Sequence, residues 1–159
     1  MASDAASKLA LLYARPGFLL RRAHQISVSI FESACQEVSL TPGQFAVLTL
    51  LRARPTLDQS GVARALGINK VTVSQLLRAL EGRGLVHRKP HPENRRKRSL
   101  ALTVAGLELL LASNDPTEAA YETLMSPFDP EQRERLIILL QQLIQHLGHC
   151  ARTPLQTFE

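Results

Sequence analysis

The stretch DQSGVARALGINKVTVSQLLRALE, residues 58–81, decides the fold. Its first part, 58–66, reads as a short helix stopped by Gly67 at the position just past the last turn, where glycine tolerates the left-handed backbone that ends helices. Asn69 is placed to cap a second helix, in which Val73, Leu76, Leu77 and Leu80 follow the i, i+3, i+4, i+7 rule. Gly82 and Gly84 end it. Two helices joined by a tight glycine-containing turn are the sequence form of a helix-turn-helix, whose second helix enters a DNA major groove. The apolar stripe must face a core, so Lys70, Val71, Ser74, Gln75 and Arg78 face outward, with Thr72 beside them near the helix N-terminus. Gln pairs bidentately with adenine, Lys and Arg reach guanine or phosphate, and Ser or Thr serves either. Lys70, Thr72, Ser74, Gln75 and Arg78 are therefore the base- and backbone-contact candidates. An ordinary surface helix with its polar residues outward fits this segment alone equally well.

The segment that follows separates the two readings. Leu85-Val86-His87-Arg88 and Ser99-Leu100-Ala101-Leu102 are strand-like and flank the turn Pro90-His91-Pro92-Glu93-Asn94, which spells a hairpin. Arg95, Arg96, Lys97 and Arg98 fall at its tip or on its second strand. Eight basic residues against Glu81 and Glu93 give the stretch 78–98 a net +6, although the whole chain carries only +5. A local excess of this kind is the electrostatic footprint of a polyanion-binding surface. A hairpin so charged can lie along a phosphate backbone or a narrow, strongly negative minor groove. Arg95, Arg96, Lys97 and Arg98 join the DNA-contact candidates.

Outward from this unit the punctuation is helical. Thr41-Pro42-Gly43-Gln44 offers an N-cap, an N1 proline and a capping glutamine before the apolar run 45–51. Pro16 opens a long segment to about Val38, with Leu19, Ala23, Ile26 and Ile30 at helical spacing. A helix begins near Thr103 and is interrupted or kinked at Asn114-Asp115-Pro116. Asp129-Pro130-Glu131-Gln132 opens a last helix to about His149, with Leu136, Leu139, Leu140, Leu143 and Leu147 on one side and Ile137, Ile138 and Ile144 beside them. In so small a protein that excess of apolar surface needs a partner.

The chain has 159 residues, 45% hydrophobic and 21% charged, which suits a globular protein of one domain plus an extension. No apolar run approaches the ~20 residues of a membrane span, and the N-terminus lacks a basic region followed by an apolar run, so a cytoplasmic protein is expected. Enzyme signatures are missing: there is no G-x-S-x-G, no glycine-rich phosphate loop and no H-E-x-x-H, so no catalytic residue and no cofactor is expected. His146, His149 and Cys150 lack a fourth ligand at close spacing, so no metal site is expected. Cys35 has no neighbouring Lys or Arg to lower its pKa.

Three spaced segments resemble the MarR family of winged helix-turn-helix transcription regulators. The most specific is Asn94-Arg95-Arg96-Lys97-Arg98-Ser99-Leu100-Ala101-Leu102-Thr103-Val104-Ala105-Gly106, which matches the family's wing pattern Asp-x-Arg-x-x-x-Leu-x-Leu-Thr-x-x-Gly. Leu40-Thr41-Pro42-Gly43-Gln44-Phe45 and Leu80-Glu81-Gly82-Arg83-Gly84-Leu85-Val86 support it. Asn94 stands where the family carries Asp, so an ion pair that would hold the wing is replaced by at most a neutral hydrogen bond. The resemblance gives Arg96 the role of the wing arginine that reaches the minor groove, and implies a homodimer held by the N- and C-terminal helices. The segment 15–25 is similar to the branch of the family that controls degradation of aromatic compounds. That similarity implies a small aromatic acid or its coenzyme A thioester as effector, with Phe18 and Phe45 as apolar walls and Arg22 or His24 fixing a carboxylate or polarising a carbonyl.

The expected architecture is mainly α (α+β): a winged helix-turn-helix domain over 41–106, an N-terminal dimerisation helix within 1–40 and C-terminal dimerisation helices within 107–159. The expected function is a sequence-specific DNA-binding transcription regulator, a homodimeric repressor of a pseudo-palindromic double-stranded operator released by the small-molecule effector, with no membrane partner. A thiol-based redox sensor and a winged-helix protein-interaction module that does not bind DNA are the alternatives.

Overall fold

A computed structural model describes residues 2–91 and 94–157, and the side chains of 7–90 and 98–157. The element order is α1 (Ala2–Tyr13), α2 (Pro16–Ala34), α3 (Pro42–Ala53), α4 (Gln59–Leu66), α5 (Lys70–Gly82), β1 (Val86–His91), β2 (Asn94–Leu102), α6 (Val104–Ala112), α7 (Asn114–Met125) and α8 (Pro130–Leu147), closed by a 3-10 turn (Gly148–Cys150).

The caps form where the sequence places them. Thr41 Oγ1 accepts from the Gln44 N–H at 3.3 Å while Gln44 Oε1 accepts from the Thr41 N–H at 3.2 Å, a reciprocal box that satisfies two orphan donors of α3. Asp129 and Gln132 do the same for α8. Asp58 caps α4, and Asn69 caps α5 by accepting from the Thr72 N–H at 2.9 Å. Gly67 ends α4 at φ 62°.

One core welds the winged unit together. Val47, Leu48 and Leu51 of α3, Val62 of α4, and Val73, Leu77 and Leu80 of α5 are buried against Leu85, Val86 and Leu100 of the hairpin region. The strands pair antiparallel from Val86↔Leu102 to Pro90↔Arg98, and the register shifts between Pro90 and His91. The Leu100 N–H donates to Leu57 O at 2.8 Å, tying β2 to the entrance of α4. Thr103 Oγ1 caps α6 and donates to Gly84 O at 2.7 Å. The backbones pass so closely here that a Cβ on Gly106 would lie 2.0 Å from Leu85 O, so the glycine of the wing pattern is sterically required.

The structure departs from the sequence reading in four places. A helix precedes Pro16, built from the alanine- and leucine-rich run 2–13. The segment from Pro16 stops at Ala34 rather than Val38, because residues 35–39 turn and Ser39 takes φ 50°. The helix from Thr103 breaks at Ser113, one residue before the expected site, and Pro116 sits harmlessly in the first turn of α7, where its missing N–H is one of the orphans. The hairpin strands are longer than expected, so the run 95–98 belongs to β2. The turn residues Pro92 and Glu93 lie outside the described residues.

Outside the winged unit, α2 packs along α7, while α8 has no buried residue. Leu139, Ile144 and Leu147 of α8 are each about half exposed (54%, 56% and 52%).

Candidate nucleic-acid interface

The core stripe of α5 fixes what the helix shows to solvent. With Val73, Leu77 and Leu80 turned inward, the residues diametrically opposite are Val71, Gln75 and Arg78, all three exposed. Lys70 is exposed beside them, and Ser74 and Thr72 are half-buried on the two flanks. Thr72 Oγ1 donates to Asn69 Oδ1 at 3.1 Å, so its hydroxyl belongs to the cap. Gln59 Nε2 donates to Lys70 O at 3.5 Å, linking the starts of the two helices. Among the described residues neither Gln75 nor Arg78 has a side-chain hydrogen bond or ion pair. Their polar ends are free for an external partner.

Two arginines of the basic cluster serve the fold instead. Arg88 on β1 pairs with Glu81 near the end of α5 at 2.6 Å, anchoring the hairpin to the helix. Arg83 reaches away from the hairpin and donates to Ser39 O at 2.6 Å and Val38 O at 3.1 Å. That clasp joins the end of α5 to the loop after α2, and it accompanies the left-handed Ser39 that shortens α2. Arg98, paired in register with Pro90, is exposed. The side chains of Arg95, Arg96 and Lys97 lie outside the described residues. Sequence reading counted Arg83 and Arg88 as surface charge because their partners lie 44 and 7 residues away, with no local pattern to reveal them.

A further contact had no sequence signal. The Gln156 N–H donates to Arg64 O at 2.9 Å, and Arg64 Nε donates back to Gln156 Oε1 at 3.0 Å. Leu155 rests against Gly67. The C-terminal tail thereby caps α4 at the helix-turn-helix turn, satisfying one of its last carbonyls.

The effector candidates are not gathered within one protomer. Phe18 is half-buried, 5.1 Å from the Tyr13 ring, with the Arg21 guanidinium 5.1 Å over its face. Phe45 instead contacts Phe31 at 5.7 Å. Phe18 and Phe31 are thirteen residues apart on α2, about 20 Å along its axis, so Phe18 and Phe45 do not wall one small cavity. Arg22 is exposed and donates to Gln25 Oε1 at 3.4 Å; it shares the helix face of Phe18. His24, also exposed, is two residues on and points to the opposite side. Two clefts lie elsewhere among the described residues: one of about 480 Å³ between α7 and α8, beside Tyr121, Arg133 and Ile137, and one of about 630 Å³ between α8 and the tail, beside Ile144 and Leu155.

The cysteines are chemically distinct. Cys35 is buried, and desolvation pushes its thiol above the usual value, away from the reactive thiolate. Cys150 is exposed, its Sγ 3.3 Å from His149 Nε2.

Residues 40–97, which span the cap of α3, the helix-turn-helix and the first half of the wing, match the MarR family. The chain is 30% identical to the HTH-type transcriptional repressor NicR of Pseudomonas putida over 128 residues, 80% of this chain and 81% of the relative. The chain belongs to the MarR family. Like its relatives it is a winged-helix transcription regulator rather than an enzyme. Solved MarR-type neighbours superpose over most of the chain. One is a structure of Bordetella bronchiseptica BpsR, whose DNA binding is regulated by 6-hydroxynicotinic acid, with TM-score 0.77 and 30% identity over 82% of this chain and 94% of that one. Another is the transcriptional repressor CouR bound to a 23-mer DNA duplex, with TM-score 0.77 and 33% identity over 83% of this chain and 94% of that one. CouR is also solved bound to p-coumaroyl-CoA. Among the described residues of this MarR-family chain, no helix is long and apolar enough to cross a membrane.

Proposed function

We propose that this regulator is a cytoplasmic homodimer that reads a pseudo-palindromic operator through α5 and is released from it by an aromatic carboxylate or its coenzyme A thioester. The carrying observation is the outward face of α5: a capped helix presents Gln75 and Arg78 with no partner among the described residues, beside a hairpin whose second strand carries the basic run 95–98. Lys70, Thr72, Ser74, Gln75 and Arg78 are assigned to the major groove and its phosphates. Arg95, Arg96, Lys97 and Arg98 are assigned to the flanking backbone or minor groove. Residues 41–106 form the DNA-binding unit, and 1–40 and 107–159 dimerise. The bare apolar face of α8 supports the second copy.

The effector assignment rests on the kinship with regulators of aromatic catabolism and on the chemistry of α2. Arg22 is the cation for the carboxylate and Phe18, on the same face, an aromatic wall; Phe45 with Phe31, and His24 on the opposite side of α2, serve a partner protomer's contribution or a longer thioester. An effector releases DNA only if it binds the DNA-incompetent arrangement more tightly, and a hundredfold weakening needs ~2.7 kcal/mol of coupling. The test is a thermal-shift screen of hydroxylated and nitrogen-containing aromatic acids and their coenzyme A thioesters, followed by gel-shift titration of the parent and Arg22→Ala proteins. A compound that releases the parent and fails on Arg22→Ala supports the assignment. Equal release of both proteins removes Arg22 from the site, and no response to any compound removes the effector class.

A further inference from the structure

Val71 is the one large apolar side chain exposed on α5, at 67%, whereas Val62 and Val73 of the same helix-turn-helix are completely buried. It stands on the second residue of the helix, directly opposite the core stripe, with Gln75 one turn on and Arg78 two turns on. An isopropyl group there gains little from the described residues: α5 packs on α3, α4 and β1, and its buried residues Val73, Leu77 and Leu80 lie on the other face. Nor does it help the helix, since β-branched residues lose rotamer freedom there and alanine would serve better. In a major groove, however, one base edge offers an apolar group, the 5-methyl of thymine, and an aliphatic side chain recognises it by excluding water from both.

We propose that Val71 is a specificity-determining residue that reads the methyl group of a thymine in each half-site. The inference deepens the assignment of α5 as the reading helix and rests on it. The position of the thymine follows from the helix. Val71 and Gln75 are four residues apart, about 6 Å along the axis, and base pairs are spaced ~3.4 Å. The thymine therefore lies within about two base pairs of the base that Gln75 contacts.

The experiment uses the full-length protein and the duplex it selects from a randomised pool. Each thymine of that duplex is replaced singly by deoxyuridine, which deletes the methyl and leaves every hydrogen-bonding group in place. The parent protein loses about fourfold in affinity at one thymine of each half-site, the worth of one buried methyl at ~0.8 kcal/mol. Val71→Ala binds the unmodified duplex more weakly by a similar factor and loses nothing further when that thymine is replaced. The substitution removes an exposed side chain from a helix and favours folding, so a loss of affinity is not a loss of structure. An unchanged deoxyuridine penalty in Val71→Ala overturns the proposal, as does a parent protein indifferent to every replacement. If the parent selects no sequence at all, base reading by α5 fails and the proposal falls with it. A selected duplex without methyl dependence rejects Val71 alone.

Discussion

Gln75 shows what a single residue can be asked to do here. It is exposed, has no partner among the described residues and is centred on the face opposite the core, so Gln75→Ala should leave folding untouched. It should cost ~1–3 kcal/mol on the selected operator and relax preference at one base pair. Affinities for single-base variants of the operator measure this, and equal weakening on random DNA would take Gln75 out of the reading set. Gly106 makes the opposite prediction. Any Cβ there meets the Leu85 carbonyl oxygen, so Gly106→Ala should lower unfolding stability by at least the ~1–3 kcal/mol typical of overpacking, read from urea denaturation. Both residues were legible in sequence for different reasons. Gln75 lay on the polar side of a clear 3.6-residue period, and Gly106 closed a spaced pattern. Arg83 was not legible: its acceptors are main-chain oxygens on another element, and nothing in the order of residues announces which arginine a fold will consume.

Among elements, the hairpin carries charge proposed to bind DNA beside charge that builds the fold. Arg98 is exposed, whereas Arg88 is engaged with Glu81. Arg98→Ala should flatten the salt dependence of DNA affinity by about one unit of slope. Arg88→Gln should leave that slope nearly unchanged and cost at most ~1 kcal/mol of stability, as for other partly exposed pairs. Gel-shift titrations across a range of salt concentrations distinguish the two, and a flattened slope in Arg88→Gln with none in Arg98→Ala would reverse the roles. The tail makes a second prediction at this scale. Gln156→Pro removes both the N–H and the side-chain oxygen that clasp Arg64, so amide exchange at the end of α4 and proteolysis in 151–157 should both accelerate. Unaltered protection would mean the tail does not cap the helix. Caps and glycine stops made α3, α4, α5 and α8 readable to within a residue or two. The helix α1 went unread because its alanines and leucines carry propensity without punctuation, and the docked tail went unread because its partner is 92 residues away.

For the whole molecule, the unsatisfied surface is as informative as the core. The winged unit closes around a buried core, but α8 leaves Leu139, Leu143, Ile144 and Leu147 open, and an apolar helix face of that extent calls for a second copy. Leu143→Glu should therefore shift the protein toward monomer in sedimentation and weaken operator binding, since a dimer gains from holding two reading helices at once. The fold of the DNA-binding half followed from local signals that all agreed. The effector region did not, because a site shared between helices, or between protomers, depends on packing that no single segment encodes; hence Phe18 and Phe45 read as walls of one pocket, whereas Phe45 contacts Phe31, about 20 Å along α2 from Phe18. The central claim, that two copies of α5 read DNA sequence, is tested most directly by footprinting the full-length protein on its selected duplex in the presence of excess random DNA. The account predicts two protected half-sites related by a two-fold axis, with centres ~34–36 Å apart along one face of the helix. Protection of a single asymmetric site, or protection abolished by the random competitor, would contradict it.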